Sequence, residues 1–174
     1  MKRSAKVGSA VNRLLEEGER TGEQIAVDLN VSPQLVSHIK KNRRTMQADI
    51  AQESMALYDN PIYTMDILYE FSDHMTSPVL RGKNIEPHRL AFSANAKREI
   101  EEGLEMMKTV CLAKPPSSLD GNEIQSVKNL MDELLDARIH VDNLLMQIQV
   151  EYKLSIKERI KSLIPRWKAK GWLE

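Results

Sequence analysis

Along most of this chain, apolar residues return at intervals of three and four, the spacing of one face of an α-helix. Val7, Val11, Leu14 and Leu15 set the pattern and predict a helix over 5–17, with Gly18 as its stop. Ile25, Ala26 and Leu29 continue it over 21–30, and Leu35, Val36 and Ile39 over 32–42. "TMQADIAQESMALYD" and "PIYTMDILYEFSD" supply two further helical stretches. "TSPVLRGKNIEPHRL" then carries two prolines and a glycine and reads as a linker over 76–87. Beyond it a helix is expected over 88–112, with Ile100, Leu104, Met107 and Cys111 on one stripe. Strand-like alternation is scarce, so the expected fold is all-α. It divides into a five-helix domain over 1–75, the linker, and a helical region over 88–174.

Start and stop signals sharpen the first domain. Thr21 followed by Gln24 makes a capping box, in which hydroxyl and amide each satisfy a free backbone N–H. Asn30 and Val31 form a tight turn. Ser32 is the next N-cap, and Pro33 takes the first helical position, where a missing N–H costs nothing. This leaves Gln34, Ser37, His38 and Lys41 on the outer face. Asn42 stands where the helix ends, because asparagine tolerates the left-handed backbone an end requires.

These residues resemble a known motif. "TGEQIAVDLNVSPQLVSHIKKNRR" is similar to the helix-turn-helix of the Cro/repressor-type (XRE) family, many of whose members are phage and bacterial repressors. Ile25-Ala26 matches its first helix, Val31-Ser32 its turn, and Val36-Ser37-x-Ile39 its recognition helix. Gly22 stands where the family often has a phosphate-touching Gln, while Asn30 and Asn42 replace its turn and closing glycines. The resemblance covers about residues 5–73 and implies a sequence-specific regulator whose second helix enters the DNA major groove. By that correspondence Gln34, Ser37 and His38 face the bases, and glutamine suits an adenine edge. Thr21, Ser32, Lys40, Lys41, Asn42, Arg43 and Arg44 would meet phosphates, which supply affinity and register rather than sequence information.

Charge distribution agrees with this picture although total charge does not reveal it. Lys plus Arg equals Asp plus Glu at 25 each. Yet 1–48 holds nine basic and five acidic residues, and 153–170 holds seven basic and one acidic residue, so the stretch between them is acidic. Cys111 is the only cysteine, which excludes an internal disulfide and any cysteine-cluster zinc site. No stretch approaches the ~20 apolar residues needed to cross a bilayer. Asn12 and Arg13 interrupt the early apolar run, unlike a signal peptide. A cytoplasmic, nucleoid-associated protein is expected. Catalysis finds no support: His74, His88 and His140 lie far apart, no glycine-rich phosphate loop is present, and neither a metal nor a cofactor is expected.

The most periodic stretch lies late in the chain. Ile124, Val127, Met131, Leu134, Arg138, Val141, Leu145, Ile148 and Tyr152 alternate steps of three and four, the spacing of a coiled-coil seam. Asp120 and Glu123 form a capping pair ahead of it. The helix can pair with residues 88–112 as a hairpin or with its copy in a second chain, and a homodimer on a two-half-site operator is the favoured expectation. Arg138 would fix the register or pair with Asp142. The alternative is an antitoxin or phage adaptor whose C-terminal helices hold another protein. "SIKERIKSLIPRWKAKGWLE" closes the chain as an amphipathic helix with a basic outer face, read as solvated or as a further phosphate contact.

Overall fold

The computed structural model describes residues 1–17 and 20–174, so Gly18 lies outside the described residues. The fold is all-α apart from one pair of two-residue strands. In chain order these are β1 (Ser4–Ala5), α1 (Gly8–Glu16), α2 (Gly22–Asp28), α3 (Pro33–Lys40), β2 (Met46–Gln47), α4 (Ala48–Leu57) and α5 (Pro61–Phe71). Then come α6 (Arg89–Thr109), a 3-10 turn (Pro116–Ser118), α7 (Gly121–Tyr152) and α8 (Ile156–Ala169). No described helix is long and apolar enough to cross a membrane. The chain forms two compact units, Met1–Val79 with Ser155–Glu174, and Leu80–Leu154. The closing segment thus belongs with the N-terminal helices, whereas the sequence pattern had grouped it with 88–154.

The first unit is built around one apolar cluster. Val7, Val11 and Leu14 of the first segment pack with Ile25, Ala26, Leu29, Val36 and Ile39 from α2 and α3, and with Ile67 and Phe71 from α5. Leu35 sits at the margin of this cluster, partly buried. Polar groups inside are satisfied. The Tyr63 hydroxyl donates to Ser54 Oγ, which donates onward to the Ala51 carbonyl. Arg13 on α1 donates twice to Asp66 Oδ2 on α5.

One correction concerns the start. Ala5 was expected to open the first helix, but it pairs antiparallel with Met46, as Ser4 does with Gln47. The Lys2 N–H donates to the Phe71 carbonyl and the Ala48 N–H to the Arg3 carbonyl, which fixes this segment across the unit. Helix α1 therefore begins only at Gly8. A two-residue strand has no alternation to read, so the pattern offered no signal.

In the second unit α6 and α7 form an antiparallel hairpin, shown by three pairings whose numbers run in opposite directions. Arg89 meets Glu151, His140 Nε2 lies 3.9 Å from Glu99 Oε1, and Leu134 packs beside Gly103. Both expected stripes lie off the contact between the two helices of one chain. Helix α6 buries Phe92, Ala96, Glu99 and Gly103, and leaves Ile100, Leu104, Met107 and Cys111 exposed. Helix α7 buries Leu130, Asn143, Met146, Gln147 and Gln149. Of its expected seam, Ile124, Met131, Leu134, Arg138, Leu145 and Tyr152 are exposed, and Val127, Val141 and Ile148 are half-buried. The physical reason lies in small and polar residues. Ala96 and Gly103 allow close helix approach, while the Leu80 N–H donates to Asn143 Oδ1 and Gln147 donates to the Pro87 carbonyl. Linker and hairpin are thus joined through buried polar groups, which an apolar pattern does not register.

Candidate nucleic-acid interface

The turn between α2 and α3 is built by hydrogen bonds that the sequence specifies. Thr21 accepts from the Gln24 N–H while the Gln24 side chain accepts from the Thr21 N–H, the reciprocal capping box. At the other end Val31 N–H donates to the Ala26 carbonyl and Asn30 N–H to the Val27 carbonyl. This is a Schellman end, with Asn30 at φ +49° in the left-handed position. Two residues later Ser32 accepts from the Leu35 N–H and Pro33 opens α3.

Helix α3 ends the same way. Arg43 N–H donates to the His38 carbonyl and Asn42 N–H to the Ile39 carbonyl, with Asn42 at φ +53°. Asn42 has a further duty, because its Oδ1 accepts from the Gly8 N–H at 2.9 Å. Asn12 Nδ2 donates to the Lys40 carbonyl beside it. Gly8 is required here: a Cβ would stand 2.6 Å from the Lys40 oxygen and 2.7 Å from Asn42 Oδ1. The start of α1 therefore holds the end of α3 in place. Asn42, expected among the phosphate contacts, serves this latch through its side-chain oxygen.

Every base-reading candidate lies on one side of α3. Val36 and Ile39 are buried, Gln34 and His38 are exposed, and Ser37 is half-exposed between them. The spacing 34, 37, 38, 41 places these side chains and Lys41 on a common face. Thr21 and Ser32 are exposed at their helix starts, and each hydroxyl that accepts a capping bond keeps its proton to donate.

Several cations elsewhere in the N-terminal helices have acidic partners. Lys2, Arg13 and Arg20 are paired with Asp73, Asp66 and Asp28. Among the described residues, Lys6, Lys40, Lys41, Arg43 and Arg44 form no ion pair. A groove of about 440 Å³ runs past the end of α3, lined by Lys6, Arg43, Arg44, Thr45 and Gln47 over Leu35 and Ile50. Three cations with no acidic partner thus face one concavity.

Sequence reasoning found Arg43 and Arg44 but not Lys6, Thr45 or Gln47. The signal for Lys6 exists only in three dimensions, since the β1–β2 pairing brings residue 6 beside residue 45. The hairpin gathers charge of the other sign, with carboxylates of Glu99, Glu102 and Glu133 within 4.8 Å of one another. Arg98 answers it by donating to Glu99 at 2.6 Å.

Compared with protein-family models, curated proteins and solved structures, the chain matches none.

Proposed function

We propose that this protein is a sequence-specific DNA-binding regulator, a repressor of the Cro/repressor (XRE) type, working as a cytoplasmic, nucleoid-associated homodimer on a two-half-site operator. The observation that carries the reading is the coincidence of two surfaces. A face of α3 bearing Gln34, Ser37 and His38 is bounded by five cations that no acidic side chain neutralises. Protein surfaces usually intersperse the two signs of charge. Cations left unpaired beside a polar helix face suit a polyanion.

In this account α3 enters the major groove and Gln34 takes an adenine edge through two hydrogen bonds, worth about 1–3 kcal/mol of discrimination. Ser37 adapts to either strand, and His38 donates to a guanine acceptor or a phosphate. Lys40, Lys41, Arg43 and Arg44 neutralise phosphates as the helix leaves the groove. Lys6 joins them from the residue after β1, and the Thr21 and Ser32 hydroxyls add phosphate contacts at the helix starts. The Gly8–Asn42 latch holds these two groups in one register.

A second reading is favoured by a different observation. The exposed apolar stripes of α6 and α7 suit capture of another protein, as in an antitoxin or phage adaptor.

The test is the salt dependence of duplex binding. Replacing Arg43 and Arg44 with Ala should lower affinity for all sequences and reduce the slope of log K against log salt by about two, near one per lost phosphate contact. Lys6→Ala should remove about one. An unchanged slope in the Arg43/Arg44 variant would show that these cations do not meet the backbone.

A further inference from the structure

The hairpin unit is thinly packed by itself. Of the buried apolar side chains among the described residues, sixteen belong to the first unit and only four, Phe92, Ala96, Leu130 and Met146, to the second. Small units with little core require added contacts to stay ordered. Meanwhile Leu104 and Met107 on α6 and Met131 and Leu134 on α7 are each about half exposed, between 45% and 58%.

These two stripes lie on one side of the hairpin. Ile100 and Leu104 each follow a buried position of α6 by one residue, and on α7 Met131 follows buried Leu130 and Leu134 follows Glu133, whose carbonyl approaches Gly103. One residue is a rotation of about 100°. Seen along a common axis, antiparallel helices turn in opposite senses, so equal offsets carry both stripes to the same flank. Leu134 already leans across, with its Cδ2 3.7 Å from the position of a Cβ on Gly103.

We infer that this flank is the homodimer interface, and that a second copy docks on it with α6 of each chain against α7 of the other, closing a four-helix bundle. The inference rests on the proposed homodimer and names its surface, which is two helices wide rather than an α7–α7 seam. Charge points to a second copy as occupant.

A twofold axis parallel to the hairpin keeps every residue at its own height, so α6 meets the partner's α7 in the hairpin's own register. That register sets position 97 level with 142 and 101 level with 138, following the Glu99–His140 approach. Lys97 then faces Asp142 of the other copy, and Glu101 faces Arg138. Within one chain these same groups pair weakly, Lys97 with Glu101 and Arg138 with Asp142, both at 3.8 Å. An exchange across the interface keeps all four satisfied, and Met107 falls level with Met131 and Leu104 with Leu134.

Light scattering on the full chain without DNA at tens of micromolar tests this. Wild type should be a dimer, and Leu104→Asp with Met107→Asp should be monomeric with its helical circular dichroism kept. A wild-type monomer would overturn the homodimer itself. A variant that stays dimeric would overturn this interface while leaving the homodimer reading intact. Should that variant lose helicity, the exposed Glu101→Lys decides instead. It should weaken the dimer tenfold or more and be restored by adding Arg138→Glu, and an unchanged dissociation constant would reject the bundle.

Discussion

Gln34 bears the most specific part of the account, because it is exposed on the first turn of a helix whose opposite face is core. Gln34→Ala should flatten preference at one or two base positions and keep most of the affinity for random duplex, since phosphate contacts remain. Competition binding against single-base operator variants measures this, and an equal loss on every sequence would remove Gln34 from base reading. At this scale the sequence was legible wherever a residue acts on its own backbone. Thr21, Ser32, Asn30 and Asn42 sit at the caps and left-handed positions their chemistry favours. Gly8 and Lys6 were not legible. Their roles depend on Asn42 and Thr45, 34 and 39 positions away, and no local pattern encodes such a meeting.

Among the elements, helices α1 to α5 followed from apolar spacing because they share one deep core. The hairpin did not, and α7 shows why. Its strongest periodic stripe is the exposed one, while its contact face mixes Leu130 and Met146 with Asn143, Gln147 and His140. A helix that serves two neighbours carries two overlapping patterns, and periodicity reports the more apolar one. The end of this hairpin is fastened by charge. Gln147 and then Arg89, by hydrogen bonding, hold the Glu151 carboxyl at about 2, well below its usual 4.5. A depressed carboxyl stabilises the fold above its unfolded value, and that contribution is lost as pH falls toward the folded one. Glu151→Gln should therefore be less stable than wild type above about pH 5, with the difference shrinking from pH 4.5 and gone near pH 2. Urea denaturation followed across that range checks it, and a difference independent of pH would mean the carboxylate charge does not fasten the hairpin.

For the whole molecule, two units divide the work. One presents a polar helix face beside unpaired cations, and the other presents an apolar flank suited to a second copy. A lone recognition helix spans only a few base pairs, and twofold pairing doubles the site read. The charge segregation visible in the sequence acquires a meaning at this scale, since the basic stretches 1–48 and 155–174 belong to one unit and much of the acidic stretch to the other. Selection of bound duplexes from a random pool, by the full-length protein at near-physiological salt, tests the central claim most directly. The account predicts enrichment of a motif with two related half-sites in twofold symmetry, one helical turn or a multiple apart, and loss of preference at matched positions in both halves with Gln34→Ala. Recovery of the starting pool unchanged by a folded protein would contradict it.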